Sequence, residues 1–389
     1  MSRALGQQVE VFRVPCSGPG DLSGVQALVD AGQLDPRHVV AVMGKTEGNG
    51  CVNDYTREYA SSVWCQFLAP YLECTPIQAG QRVALVMSGG TEGVLSPHFT
   101  VFTRRWIDAA PEESGKRNAG PIVKRPAVPT ERRLVIGVAH TRDFAPEEIG
   151  RMAQIEATAQ AVNEAMADAG IADAADVHFA QIKCPLLTSA RVQDALARGA
   201  EPVTRDTYES MGYSRGASAL GVALALGEVS HAALSDAAVL TDWTLYSACA
   251  SASAGIELLG NVVVVLGEAA GSASALRIGH AVMRDAIDTH SVRRMLRESF
   301  DLDTERDAGA VATRLVNLLA KAEASPDGTV RGARHTMLND SDINATRHAR
   351  AAVGGALASL AGHTALYVSG GAEHQGPPGG GPVAAIVRA

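Results

Sequence analysis

Three times in this chain an apolar run ends in a serine flanked by small residues, with a glutamate four places further on. The stretches are VMSGGTEGV (86–94), VSGGAEHQG (368–376) and, more loosely, YSACASASAGIEL (246–258). They put Ser88, Ser253 and Ser369 in equivalent settings. A lysine precedes each serine: Lys45 ends HVVAVMGK, Lys183 ends VHFAQIK, and Lys321 lies in RLVNLLAKAEA. Successive lysines stand 138 residues apart in a chain of 389 residues. That interval is far longer than the period of a solenoid, and it matches the size of a domain. The chain is therefore expected to consist of three similar units.

Read in order, each unit alternates strands and helices. The first runs from the strand VEVFRVPC through a helix around SGVQALVD to HVVAVMGK with Lys45. A helix from Asn53 carrying Arg57 follows, and then RVALVMSGG with Ser88. The polar, proline-bearing stretch after it reads as a linker. The second unit begins at RRLVIGVAHT and continues through a long helix, VHFAQIK with Lys183, a helix with Arg215 near its start, and the strand bearing Ser253. The third is read as opening with the strand NVVVVLGEA, followed by a helix over SALRIGHAVMRDAI. Periodicity alone makes the Lys321 segment helical, whereas its place in the repeat demands a strand. A helix with Arg347, or Arg350 one turn later, precedes YVSGG with Ser369, and PVAAIVRA makes a last strand. The expectation is an α/β protein with units at 1–104, 131–258 and 259–389 and a linker at 105–130. The units would lie about a pseudo-threefold axis with one active site at its centre.

Bulk properties remove several functions. A formal net charge of −8 does not suit a nucleic-acid backbone as partner. No apolar run approaches the length that spans a bilayer, and the N-terminus has no secretory pattern, so a cytoplasmic protein is expected. The six cysteines lack C-x-x-C spacing and read as reduced, mostly buried thiols; Cys184, beside Lys183, is the one candidate nucleophile among them. The histidines show no metal-ligand spacing. The absence of a Walker A pattern, a G-x-S-x-G elbow and S-x-x-K removes nucleotide and common serine-hydrolase readings, and no organic cofactor is expected.

Convergence of three serines, three lysines and three arginines on one pocket has a definite chemistry. A serine hydroxyl needs a base to become a nucleophile. A lysine can be that base only when neutral, which burial and neighbouring positive charge favour. The remaining serines and backbone N–H groups can hold substrate oxygens. Such a pocket suits a small, carbonyl-rich ring, and the residues point to a cyclic amide or imide hydrolase.

The strings VMGKTEGNGCVNDYTREYA, TRDFAPEEIGR, TYESMGYSRGASALG, GARHTMLNDSDIN and YVSGGAEHQGPPGGGPVA resemble the cyanuric acid hydrolase and barbiturase family of ring-opening amidohydrolases along essentially the whole chain. The resemblance implies a three-repeat fold, a homotetramer, and hydrolysis of cyanuric acid to carboxybiuret, which loses carbon dioxide to give biuret. Barbiturase activity on the related pyrimidine ring, or ring binding without catalysis, stays as the alternative. By the same resemblance Ser253 is the nucleophile, with Ser251 two residues away as the other candidate, and Lys183 is its base. Substrate is held by Arg57, Ser88, Gly89, Arg215, Ala254, Arg347, Ser369 and Gly370, with Lys45 and Lys321 as the other two lysines. A structural Mg²⁺ or Ca²⁺ is implied at Glu323, Ala372, Gln375, Gly376, Pro377 and Gly380, where a Gly/Pro-rich loop offers carbonyl oxygens to a hard cation.

Overall fold

The structure is a computed structural model that describes residues 5–108 and 131–389. Its strands form three four-stranded sheets and a short hairpin. The first sheet contains β1 (Leu5–Pro15), β2 (Val39–Thr46), β3 (Ala84–Gly89) and β4 (His98–Asp108). The second contains β5 (Arg133–His140), β6 (Val177–Cys184), β7 (Ala250–Ala254) and β8 (Val262–Ala269). The third contains β9 (Leu276–Met283), β10 (Leu315–Ala322), β13 (Tyr367–Gly370) and β14 (Gly381–Arg388), with the hairpin β11 (Thr329–Val330) and β12 (Ala333–Arg334) inserted after β10.

One topology recurs in all three. Counting strands within a sheet, the spatial order is first, fourth, second, third. The second and third strands pair in parallel, and the fourth runs antiparallel to its neighbours. Each lysine strand slips register against the sheet's fourth strand at the same place, between Val39 and Ala41, Val177 and Phe179, and Leu315 and Asn317. Such bulges re-aim the residues beyond them, and all three begin six residues before the lysine.

Alternation along the strands decides what each face meets. On β2, Ala41 and Met43 face one cluster while Val42 faces another. Inward residues from all three sheets, among them Met43, Val86, Ile136, Phe179, Leu319 and Tyr367, share a single apolar cluster. The outward faces are covered by helices. Helices α1 (Ser23–Asp30), α2 (Tyr55–Leu68) and α3 (Pro76–Arg82) lie in the first unit. The second has α4 (Met152–Ala169), α5 (Ser189–Ala197) and α6 (Thr207–Ala225). The third has α7 (Thr289–Phe300), α8 (Ala308–Arg314) and α9 (Ala345–Ala361). Burial on both faces explains why strands such as HVVAVMGK read as continuous apolar runs. Among the described residues no helix is long and apolar enough to cross a membrane.

Four sequence expectations change. NVVVVLGEA does not open the third unit: as β8 it pairs with β5 and β6 and completes the second sheet. The segment read as helix over SALRIGHAVM is β9, antiparallel to β14; its apolar residues suit either period, and the free edge of β14 decides. Strand β4 runs to Asp108, so residues 105–108 of the expected linker belong to a sheet paired with β1, while 109–130 lie outside the described residues. Arg215 is the ninth residue of α6, two turns in rather than near its start. The Lys321 segment is strand β10, as its position among the three units required.

Candidate active site

Parallel pairing sets each lysine opposite its serine. Lys45 is the register partner of Ser88, Lys183 of Ser253 and Lys321 of Ser369. Strand parity sends all six to the inner face, at the end of the cluster shared by the three sheets. Every one is buried, the lysines at no more than 1% exposure. Lys45 Nζ donates to Ser88 Oγ at 3.1 Å, and Lys321 Nζ donates to Ser369 Oγ at 3.3 Å and Gly370 O at 3.1 Å.

Links also pass between sheets. Lys183 Nζ donates to Met87 O at 2.8 Å, Lys321 Nζ to Ala252 O at 2.8 Å, and Ser88 Oγ to Ser369 Oγ at 3.4 Å. Lys45 Nζ sits 5.9 Å from the centre of the Tyr367 ring. The six residues expected from the sequence are therefore in one place. The second pair differs: Lys183 turns to Glu257 at 3.3 Å, and Ser253 Oγ is buried without a hydrogen-bond partner among the described residues. Ser251, the other candidate nucleophile, is committed to Gln181 Oε1 at 2.8 Å.

Burial lowers the proton affinity of all three amines, because the charged form is the one that loses solvation. Lys45 is held well below the ordinary lysine range by burial, with Arg350 adding to the effect. Lys321 is lowered to about 7 by burial and by Arg215. Lys183 is lowered by burial, while Glu257 works against the shift and Arg57 with it. For Cys184 burial works in the other direction and pushes the thiol up; it is fully buried, so it does not suit a nucleophile's place.

The arginines and glutamates are arranged around these pairs. Arg215 reaches from α6 to Glu373 with contacts of 2.7 and 2.5 Å, and Arg350 reaches from α9 to Glu92 with contacts of 2.7 and 2.5 Å. Arg57, the third residue of α2, donates to Ala254 O at 2.8 Å and Cys51 O at 2.6 Å. Each arginine thus meets the serine loop of another sheet. Arg347, the residue expected to hold substrate in the third unit, is 38% exposed and 3.3 Å from Glu92, whereas Arg350 is 4% exposed. Arg350 occupies the position that Arg57 and Arg215 have elsewhere. One turn of helix separates the two candidates, and only the direction of the core distinguishes them.

Close approach explains the glycines after two of the serines. A Cβ at Gly89 would lie 1.7 Å from Asp54 Oδ2, the carboxylate that caps α2. Gly371, at φ +76°, has Arg215 Nε 2.7 Å from where its Cβ would stand. Tyr367, two residues before Ser369 on the inner face, went unnoticed in the sequence. Its fully buried hydroxyl faces Ser253 and Ser88, and burial pushes the phenol up.

For the expected cation, Glu323 directly follows β10 and lies against the loop after β13. Burial raises its carboxyl, Glu373 adds to the shift, and its near polar contact is the Ala372 backbone. The loop is folded on itself, Gln375 N donating to Ala372 O and Gly380 N to Pro377 O, both at 2.9 Å. The Gln375 side chain is engaged by Ala252 N at 2.6 Å, which leaves its backbone carbonyl as the group it can offer. Among the described residues no three His, Cys, Asp or Glu side chains form a cation cluster. One carboxyl disfavoured by burial, beside a loop of carbonyls, is a donor set that fits a hard cation.

An α/β scaffold that buries lysine–serine pairs beneath arginine-clamped loops defines a protein built for chemistry on carbonyl groups. Comparison with known proteins agrees. The chain matches the family described as amidohydrolase ring-opening protein over residues 10–388. It is 58% identical to cyanuric acid amidohydrolase of Pseudomonas sp. (strain ADP), over 98% of this chain and 99% of that one. It is 59% identical to the Bradyrhizobium diazoefficiens protein of the same name, over 98% of each. A solved cyanuric acid hydrolase, described as an evolutionary innovation by structural concatenation, superposes with a TM-score of 0.90 at 57% identity, covering 99% of this chain and 100% of that one. Cyanuric acid hydrolase from A. caulinodans does so with a TM-score of 0.84 at 50% identity, covering 98% of each. The chain belongs to the ring-opening amidohydrolases.

Truncating Arg350 to alanine leaves the Glu92 carboxylate without its partner and is expected to cost about 3 kcal/mol. Arg347→Ala is expected to cost under about 1 kcal/mol, as for a half-exposed ion pair. Urea denaturation of the two variants measures the difference, and equal losses would contradict the assignment.

Proposed function

We propose that this protein is a cyanuric acid amidohydrolase that opens the ring through Ser253 and Lys183. The observation that carries the mechanism is a Ser253 hydroxyl that faces Tyr367 and is not held by the buried lysine opposite it, while Ser88 and Ser369 accept hydrogen bonds from their own lysines. The substrate assignment is supported by the relatives' names at 51–59% identity over nearly the whole chain. We infer as well that the three units are repeats about a pseudo-threefold axis with a single site between them; their identical strand order and matching bulges support this.

In this reading the ring lies among the three serines, with its carbonyl oxygens toward Ser88, Ser369 and the backbone at Gly89, Ala254 and Gly370. Arg57, Arg215 and Arg350 brace the loops that carry these groups and supply positive charge around the ring. Neutral Lys183 takes the Ser253 proton as Oγ bonds to a ring carbonyl carbon. The ring C–N bond breaks, and the departing nitrogen takes the proton from Lys183. Water then attacks the ester carbonyl, giving its proton to Lys183. That proton returns to Ser253 as carboxybiuret leaves, which loses carbon dioxide to become biuret. Lys45 and Lys321, with proton affinities lowered by burial, would place less positive charge beside the ring than ordinary lysines.

Glu323 and the carbonyls of the Ala372–Gly380 loop would hold a Mg²⁺ or Ca²⁺ ion that stiffens the loop behind Ser369. The family resemblance extends the reading to a cytoplasmic homotetramer, and the exposed aromatics Tyr55 and Tyr59 on α2 are compatible with a subunit contact.

Purified protein is expected to convert cyanuric acid to biuret, followed by mass spectrometry, and to leave barbituric acid intact. Turnover of barbituric acid alone would move the substrate, and inactivity on both would leave a ring-binding protein. Ser253→Ala is expected to lower kcat by at least about 10³-fold while cyanuric acid still binds by calorimetry; full activity would remove Ser253 from the mechanism. Dialysis against EDTA is expected to lower the melting temperature, with Mg²⁺ or Ca²⁺ restoring it, and an unchanged transition would contradict the cation.

A further inference from the structure

The glutamate that stands four residues after each serine is treated in two ways. Glu92 and Glu373 are gripped through both oxygens by Arg350 and Arg215. Arg57 occupies the matching place in the first unit, yet spends its Nη atoms on the carbonyls of Ala254 and Cys51. Glu257 is left to the lysine. Its Oε1 lies 3.3 Å from Lys183 Nζ, and its Oε2 is buried with no partner among the described residues. The charged or titratable groups facing Lys183 are Glu257, Arg57 and Cys184, and those facing Glu257 are Lys183 and Arg57. Burial is the strongest single influence on the Glu257 carboxyl and acts to raise it, but Lys183, a backbone hydrogen bond and Arg57 together outweigh burial and favour the carboxylate.

A buried lysine without a carboxylate becomes neutral easily and is, for the same reason, a weak base. The second pair avoids that outcome. We propose that Glu257 is a positioning residue of this pair: its carboxylate holds the Lys183 amine in place and stabilises the ammonium formed when that amine takes the Ser253 proton. This inference rests on the reading that Ser253 and Lys183 do the chemistry. In the step itself the Ser253 O–H bond breaks as Oγ bonds to the carbonyl carbon, the proton goes to Lys183 Nζ, and it passes on to the ring nitrogen as the C–N bond breaks. Glu257 remains ionised throughout, in the way a buried carboxylate supports the base of a catalytic triad without taking the proton itself.

Two variants test it. Removing the negative charge in Glu257→Gln lowers the proton affinity of Lys183 further, so the amine is free of its proton at lower pH but holds the serine proton less well. The expected result is a fall of roughly 10²-fold in kcat on cyanuric acid with KM little changed, and an acidic limb of the kcat/KM profile displaced to lower pH. Glu257→Asp keeps the charge and is expected to keep the wild-type limb and much of the activity. A Gln variant with wild-type kcat and limb would overturn the inference, as would an Asp variant impaired like the Gln variant with neither limb displaced. Wild-type protein inactive on cyanuric acid would overturn the functional reading and this inference together, whereas wild-type turnover with an indifferent Gln variant overturns this inference alone.

Discussion

Three lysine amines buried in one region are the constraint around which this molecule is arranged. A charged amine out of water costs several kcal/mol unless it is compensated, and a neutral one still needs its hydrogen bonds. The fold meets that need across unit boundaries. Lys183 donates to the strand that carries Ser88, and Lys321 to the strand that carries Ser253. The same contacts that satisfy the amines hold the three sheets together at one end of their shared apolar cluster. Stability and reactivity therefore depend on the same atoms: burial strong enough to lower the lysines' proton affinity also forces each amine to find a polar partner, which Lys183 and Lys321 find on a neighbouring sheet and Lys45 on its own.

Near-equivalence of the units makes their differences informative. Two of the serines are hydrogen-bonded to their lysines and two of the glutamates are clamped by arginine, and both belong to the first and third units. In the second, Ala254 replaces the glycine, Arg57 turns to backbone carbonyls, and Lys183 turns to Glu257. One change leads to the next. An arginine engaged with the Ala254 and Cys51 carbonyls cannot grip Glu257, a glutamate without an arginine attracts the lysine, and a lysine so drawn leaves its serine unbonded. The proposed division of labour, two pairs that hold the ring and one that opens it, follows from this sequence of contacts.

Much of this is legible in the sequence, because the information is repeated. The even spacing of Lys45, Lys183 and Lys321 points to three similar units and makes a strand of the Lys321 segment against its own helical periodicity; the structure has three sheets of one strand order and a strand there. Where the reading failed, the missing information was long-range. The run VVVVLGEA fits any sheet, and only its pairing with β5 and β6 assigns it to the second. LRIGHAVM is ambiguous between helix and strand until β14 offers an edge. HFTVFTRRW carries no strict alternation and runs into the polar stretch that follows, and its pairing with β1 and β2 is what makes it a strand. Arg347 and Arg350 lie one turn apart, and nothing local says which faces inward. The glutamates were visible as part of the repeated pattern, but their partners come from other units and have no signature in the spacing.

The central claim is that the three lysine–serine pairs are chemically unequal and that the second one reacts. Acid-quenching the enzyme during turnover of cyanuric acid, followed by digestion and peptide mass spectrometry, tests this directly. The account predicts a ring-derived ester on the peptide containing Ser253 and none on those containing Ser88 or Ser369. An ester on either of the other two peptides would contradict it.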